Sequence, residues 1–313
     1  MTISVLKPGL QTTIQAAPRI GMRHLGVPRS GAADCLSHAL ANRLLGNDLF
    51  APVLEAALVG PSLRINLNTS FALTGAHANA TLNGESVDFH RALHARAGDE
   101  LNIGPVGIGS RVYIAFAGSL FGDDILGSMS TYLPAGFGGY RGRPLAEGDV
   151  LQIAGRYNAC DELLTPDTFR PRIGNRWALR VCSAGESRLL ADRQRLFDTH
   201  WRVGQRADRM GLELDGAKLH VDSDGRMPSA PVFPGTIQCP QSGTPFMLSV
   251  DAQTTGGYPR IAQLARVDRH LLGQLRPGDH VLLLPREPQE AAEELHAMHA
   301  LWRDWLPEIE QII

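Results

Sequence analysis

Apolar positions recur with a period of two over much of this chain. Leu63, Ile65 and Leu67 fall on one face of a short extended run. Ser70–Gly75 (SFALTG), Arg111–Gly118 (RVYIAFAG) and Pro245–Val250 (PFMLSV) are apolar runs bounded by turn residues. Both patterns predict short strands. Three segments echo one another: AGDELNI (Ala97–Ile103), EGDVLQI (Glu147–Ile153) and PGDHVLLL (Pro277–Leu284). Each reads Gly-Asp and then an alternating strand. Glycine can take φ > 0 and aspartate can close an Asx-turn, so each is expected to be a tight turn feeding a strand. Three such closures point to one β architecture used more than once.

The 3.6-residue period appears in few places. Asp34 is placed to cap a helix through CLSHALANRLLG, with Leu36, Leu40 and Leu44 on one face and Gly46 as its stop. A second helix is expected from about Ser187 to His200, through Leu189, Leu190, Arg193 and Phe197. From Pro288 onward Leu295, Met298, Trp302, Trp305 and Ile309 make one apolar stripe, which Pro307 should break or kink. That stripe packs either on its own lobe or on a second protomer. The segment Asn158–Arg176 departs from the strand pattern. The expected organisation is an N-terminal lobe over 1–155, a link over 156–176, a second lobe over 177–285 and a helical tail over 286–313.

Composition adds limits. The chain has 313 residues, 43% hydrophobic and 20% charged, with 33 glycines and 20 prolines, which fits frequent turns and short strands. Its net charge of −2 gives no electrostatic case for nucleic acid or an anionic membrane. Only Lys7 and Lys218 are lysines; the other basic residues are arginines, which bind carboxylates and phosphates bidentately. A codon bias explains the imbalance equally. Cys35, Cys160, Cys182 and Cys239 are scattered without a Cys-x-x-Cys pair, so each is expected to act as a small buried apolar residue. No long apolar segment is present, and a cytoplasmic protein without a membrane span is expected.

P-loop, dinucleotide and nucleophile-elbow motifs are absent. GPVGIGS (Gly104–Ser110) is expected to be a hairpin turn between two strands. His90 and His94 are four apart without a helical pattern, and on a strand they would lie far apart; His296 and His299 share the last helix without a nearby third ligand, so no metal site is expected. More informative is DAQTTGGYPRI (Asp251–Ile261). Gly256 and Gly257 leave the backbone free to adopt φ > 0 and turn its N–H groups toward a ligand. Tyr258 precedes Pro259, which biases it to an extended conformation. Gln253, Thr254 and Thr255 supply amide and hydroxyl groups. A pocket for a small polar molecule and a polar-flanked β-turn both fit this pattern. Three more segments share its density of turn and polar residues: HLGVPRSGAAD (His24–Asp34), with Arg29 and Ser30 before a helix start that suits an anion; the glycine-rich GSMSTYLPAGFGGYRGR (Gly127–Arg143); and ADRMG (Ala207–Gly211), with Asp208 beside Arg209.

Together with VLKPGLQTTIQ, LANRLLGN, FALTGA, PGTIQCPQSGTPFML and DAQTTGGYPRIAQL, these segments resemble the biotin-dependent carboxyltransferase-domain family, also called the allophanate hydrolase subunit 2 family. Its members include the C subunit of the ATP-dependent 5-oxoprolinase, the carboxyltransferase half of urea carboxylase and an antagonist of a sporulation-kinase inhibitor. The chain is most similar to the first kind. The resemblance implies a mainly β chain of two cyclophilin-like β-barrel lobes with few helices and a C-terminal amphipathic helix. It implies ATP as co-substrate and hydrolysis of 5-oxoproline, or a related amide, to glutamate. It also implies a partner like the 5-oxoprolinase B subunit, with the A subunit as a separate chain. Arg29 and Arg209 become the candidates for anionic groups, with Ser30 beside the first. Gln253, Thr254, Thr255, Gly256 and Gly257 become candidates for orienting substrate, with Tyr258 as a catalytic hydroxyl. Asp34, Asp208 and Asp251 are candidate bases. Two other activities stay open: carboxyl transfer from biotin to a urea-like acceptor, and non-catalytic binding of a kinase inhibitor. Ala16, Tyr132 and Ala207 stand where the family usually has Asp, Asp and Ser, which favours an altered substrate, weak catalysis or the binding role.

Overall fold

The computed structural model describes residues 1–154, 163–223 and 227–313; Cys160 and the first part of the expected link lie outside the described residues. The chain is mainly β, as its alternation predicts. It divides into two compact units, Met1–Ile20 with Ser30–Ile173, and Gly21–Arg29 with Gly174–Ile313. The short segment Gly21–Arg29 therefore belongs to the second unit, although the chain on its N-terminal side belongs to the first.

In the first unit a curled sheet runs in the order Gln11–Gln15, Val53–Ala57, Glu100–Phe116, Ser62–Ile65, Thr2–Lys7, Val150–Ala154 and Ser119–Leu120. Thr69–Leu82 branches from it along Glu100–Phe116, from Leu82 opposite Leu101 to Phe71 opposite Phe116. Leu63, Ile65 and Leu67 all point into the core with Ile3, Phe71 and Ile114. Gly104–Ser110 is not a hairpin turn. It lies inside the single strand Glu100–Phe116, where the pairing with Thr69–Leu82 slips at Gly75/His77, His77/Ala78 and Ala78/Ala80. Glycines in a strand interior accommodate such bulges and the close approach of the neighbouring backbone; a Cβ on Gly104 would meet the Asn79 carbonyl oxygen at 3.3 Å.

The first predicted helix forms over Cys35–Leu44, with Asp34 as its N-cap accepting from the Ser37 N–H at 3.0 Å. Leu36, Leu40 and Leu44 are buried, but so are Ser37, His38 and Asn42. The helix is enclosed rather than one-faced, because the following loop satisfies its polar side chains: His38 Nε2 and Asn42 Nδ2 both meet the Ala51 carbonyl, at 2.8 and 2.9 Å. Burial holds the His38 imidazole below its ordinary pKa, so the ring stays neutral.

The glycine-rich stretch Gly127–Arg143 is packed. Ser128, Ser130 and Thr131 are buried. The fully buried Arg19 donates Nε to Ile125 O at 3.0 Å and Nη2 to the carbonyls of Ser128 and Ser130, and its guanidinium lies 4.8 Å from the Phe137 ring centre. Gly142 has φ +67°, and a Cβ there would sit 1.9 Å from the Gly136 carbonyl oxygen. Gly142→Ala is expected to cost about 3 kcal/mol, from left-handed backbone strain plus a clash with immobile backbone; urea unfolding at neutral pH measures it.

The three Gly-Asp repeats share one geometry. Gly98, Gly148 and Gly278 have φ of 99°, 83° and 96°. Asp99, Asp149 and Asp279 each accept, through the carboxylate, the N–H of the third residue before them (Arg96, Ala146 and Arg276) and donate their own N–H to that residue's carbonyl. The carboxylate reaches back across the turn instead of forward as in an Asx-turn. In the third repeat Asp279 also accepts the Trp177 indole N–H at 2.8 Å, which ties the turn to the core of the second unit.

That second unit is a closed barrel in the order Arg176–Ser183, Arg260–Leu264, Thr236–Gln238, Phe246–Leu248, Gly211–Asp215, Trp201–Ala207 and His280–Pro285. The barrel closes by a parallel pairing of His280–Pro285 with Arg176–Ser183. Trp201, Leu179, Leu214, Ile237 and Met247 are fully buried in this unit. The helix expected from Ser187 to His200 is instead a 3-10 turn, Ser187–Leu189, and a short helix, Gln194–Asp198. The C-terminal helix runs Pro288–Trp302 behind a Glu287/Glu290 capping box, and Ile309–Ile312 forms a further turn beyond Pro307. Trp302 and Ile309 are buried by their own unit, whereas Leu295, Met298 and Trp305 are half-buried. No helix among the described residues is long and apolar enough to cross a membrane. The expectation for the cysteines holds for Cys239, which is buried and whose thiol pKa burial pushes up to about 11; Cys35 and Cys182 are only partly buried.

Candidate functional site

In the second unit the loop Asp251–Arg260 leaves the barrel after Phe246–Leu248 and returns to it as Arg260–Leu264. Three anchors shape it. At its start Asp251, 1% exposed, receives Arg209 (5% exposed) through Nε at 2.6 Å and Nη2 at 3.2 Å. Gln238 sits beneath the middle, donating Nε2 to the Tyr258 carbonyl at 3.1 Å and receiving Gln253 Nε2 at 3.4 Å. At the end Arg260 pairs with Glu186 through Nε and Nη2 at 2.7 and 2.6 Å, and this pairing is the main cause of the lowered Glu186 pKa.

This arrangement changes the reason for the paired glycines. Neither Gly256 nor Gly257 adopts φ > 0. Thr255–Gly256 pairs antiparallel with Ala230–Pro231 in a two-stranded ribbon. A Cβ at 256 would lie 2.7 Å from Gln238 Nε2, so a side chain there would push aside the amide that holds the Tyr258 carbonyl. Tyr258 is 58% exposed, so Pro259 does not pin its ring.

Beside this loop lies a pair of arginines. Arg23, half-buried, donates Nη2 to the carbonyls of Val232 and Thr254 and places its guanidinium 4.7 Å from the Phe233 ring centre. Burial first, and the neighbouring Arg29 charge second, hold Arg23 below its ordinary pKa. Arg29 is exposed. Arg23 and Arg29 are thus like charges close enough to repel, and Arg29 makes no hydrogen bond or ion pair among the described residues, which makes the pair a candidate for receiving an anion. Gln253 and Thr255 are exposed on this loop, and Thr254 is buried with its carbonyl on Arg23 and the Val232 N–H.

The remaining candidates are committed elsewhere. Arg209 and Asp251 are paired with each other and buried, so neither side chain is presented to a substrate. Asp208 is exposed and accepts the Met210 and Gly211 N–H groups of its own turn. Asp34, in the first unit, is buried as the helix cap, with Ser37 N–H and Oγ on its two oxygens at 3.0 and 2.5 Å. Around it the first unit builds a buried network that no sequence motif singles out. Glu55 Oε2 accepts the Ala33 N–H at 2.8 Å and the Tyr113 hydroxyl at 2.9 Å, Tyr113 Oη accepts the Asp34 N–H at 2.7 Å, and Arg111 pairs with Glu55 at 3.3 Å. Burial, then the charge of Glu55, raises the Tyr113 pKa well above normal, so the phenol keeps its proton. Ser30, also in the first unit, is buried at φ 51° with its hydroxyl unbonded.

The departures at 16 and 132 both fall in the first unit's loop packing. Ala16 N–H donates to Ser130 Oγ at 2.9 Å, and the Tyr132 ring packs on Phe137 at 5.4 Å. Signals for the residues outside the motifs exist. Glu55 is a lone acid in an apolar run, Arg111 and Tyr113 share a strand face, and Arg23 lies six residues before Arg29.

Comparison with known proteins places this geometry. The carboxyltransferase domain, subdomain A and B, matches residues 25–285. The C subunit of the Escherichia coli 5-oxoprolinase is 33% identical over 92% of this chain and 93% of its own. Urea amidolyase of Saccharomyces cerevisiae is 31% identical over 90% of this chain but only 16% of its own. The crystal structure of K. lactis urea amidolyase superposes with a TM-score of 0.88 at 29% identity, covering 95% of this chain and 19% of that one. The chain thus spans about a fifth of the large enzymes and nearly all of the bacterial protein. Its relatives are components of enzymes, and the chain belongs to the carboxyltransferase-domain family.

Proposed function

We propose that the chain is the counterpart of the C subunit in an ATP-dependent 5-oxoprolinase, which opens 5-oxoproline, or a closely related small lactam, to glutamate together with a partner like the B subunit. The observation that carries this reading is the reciprocal match: this chain and a free-standing C subunit of a 5-oxoprolinase cover each other almost completely. The uncommitted Arg29 beside Arg23 supports it, because the substrate carries a carboxylate that a guanidinium receives bidentately. A five-membered lactam is a resonance-stabilised amide with a poor leaving nitrogen. ATP would supply a phosphoryl group to the amide oxygen, which ends the amide resonance and opens the carbonyl carbon to water. The ring C–N bond then breaks with the nitrogen leaving as the protonated amine, and the acyl phosphate left behind is hydrolysed to the carboxylate and inorganic phosphate. The residues of this chain would hold the carboxylate on Arg29 and Arg23 and position the ring against the Gln253–Tyr258 loop, which lowers the entropic part of the barrier.

A second reading, carboxyl transfer to a urea-like acceptor, is favoured by the similarity to urea amidolyase. Biotin would supply the activated carboxyl group there and would arrive on another protein. Assaying ATP hydrolysis by the chain assembled with its partner proteins separates these readings. Turnover that depends on 5-oxoproline supports the first. Dependence on carboxybiotin and urea supports the second. Tight assembly with neither activity leaves a binding role and refutes both.

A further inference from the structure

Phe233, in the second unit, is 51% exposed, yet the turn that carries it is tightly bonded. Its N–H donates to Thr236 Oγ1 at 3.0 Å, and its carbonyl accepts the Thr236 N–H at 2.9 Å. Thr236 Oγ1 donates in turn to Gln263 Oε1 at 2.7 Å, and Gln263 Nε2 donates to Pro234 O at 3.0 Å. Gly235 sits at φ 86°, where a Cβ would meet Gln263 Nε2 and the Leu264 side chain at 2.9 Å. Its N–H donates to Leu248 O at 2.7 Å, and its carbonyl accepts the Leu264 N–H at 2.8 Å. Val232, just before the ring, is fully buried with Leu248 and Ala252. Pro234 biases Phe233 toward extended backbone, in which neighbouring side chains point to opposite faces, so the burial of Val232 turns Phe233 outward.

What the ring meets is Arg23. The guanidinium lies 4.7 Å from the ring centre, and its Nη2 donates to the carbonyls of Val232 and Thr254. Nε and Nη1 of Arg23 have no partner among the described residues. A cation–π contact occupies the face of a guanidinium and leaves the N–H groups of its edge available. Arg29 adds its charge here: after burial, it is the second cause of the lowered Arg23 pKa. An anion received on that edge lies beside an apolar ring. The surface therefore offers charge for a carboxylate and apolar area for the carbon attached to it.

We propose that Phe233 sets the substrate specificity of this site, packing its exposed ring against the methylene face of a small cyclic acid whose carboxylate Arg23 and Arg29 hold. This rests on the reading of the arginine pair as the carboxylate site. A five-membered lactam acid fits the surface, because its carboxylate hangs on a compact ring with two adjacent methylene groups and an uncharged amide. An acid of equal charge without such a face, such as acetate, gains only the guanidinium contacts. Phe233 takes no proton and forms no bond in this role; it selects and orients.

The test is a proton NMR titration of 5-oxoproline, and separately of acetate, by the chain assembled with its partner proteins. The expected result is a saturable ring-current shift of the 5-oxoproline methylene protons. Phe233→Tyr should retain that shift, and Phe233→Leu, which keeps apolar volume without a ring current, should lose it. Phe233→Ala should weaken 5-oxoproline binding about fivefold or more and change acetate binding by less than about twofold. Equal weakening of both acids would reduce Phe233 to a support for Arg23 and overturn the proposal. Undiminished 5-oxoproline binding in Phe233→Ala, or methylene shifts unchanged in Phe233→Leu, would also overturn it while leaving the carboxylate reading intact. No binding of 5-oxoproline to the wild-type complex would overturn both.

Discussion

Replacing Arg209 by methionine should destabilise the protein by about 3–5 kcal/mol. The replacement keeps most of the side-chain volume but leaves the Asp251 carboxylate, 1% exposed, without its bidentate partner. Removing one member of a buried ion pair exposes the full desolvation cost of the other, which is why the penalty exceeds the net worth of the pair. Asp251→Leu should also be costly, because the buried guanidinium loses the carboxylate it meets through Nε and Nη2. The double variant should recover much of the loss, since two apolar side chains of similar volume need no mutual charge. Urea unfolding of the three variants measures this. Additive losses in the double variant would show that the two residues contribute independently and that the loop has another anchor.

The second large effect concerns activity. Arg29→Gln should lower kcat/KM for the acidic substrate about thirtyfold, corresponding to roughly 2 kcal/mol for a hydrogen bond to a charged group. Because Arg29 is exposed and bonds nothing among the described residues, stability should change by less than about 0.5 kcal/mol. The loss should appear mainly in KM if the carboxylate is held equally in ground and transition states. An Arg29→Gln protein with wild-type kcat/KM would remove Arg29 from the site. The contrast between the two arginines is physical: Arg209 serves the fold because a carboxylate is buried against it, and Arg29 is open because none is.

Much of the fold is legible in the sequence wherever a local pattern has no competitor. The Leu63, Ile65, Leu67 alternation, the Asp34 cap with Gly46 as stop, and the three Gly-Asp turns are readable because each is decided within a few residues. Local pattern fails where a distant partner decides the outcome. Gly104–Ser110 looks like a turn, but it is held in a long strand by bulged pairing with residues about thirty positions earlier. The helix predicted over 187–200 is shortened because Leu190 bridges to Val221 and Leu189 O accepts the Asp222 N–H. At the candidate site the same division applies. The polar loop and Arg29 can be named from composition. The commitments of Asp34, Asp208, Asp251 and Arg209, and the contribution of Arg23, depend on contacts across the fold that spacing does not encode.

The central claim is that a guanidinium pair on the second unit receives the carboxylate of the substrate. Its most direct measurement compares 5-oxoproline with its uncharged carboxamide in ATP hydrolysis by the assembled wild-type and Arg29→Gln complexes. The account predicts that wild type strongly prefers the acid and that the preference collapses in the variant. Equal turnover of acid and amide by wild type, or an undiminished preference in the variant, would contradict it.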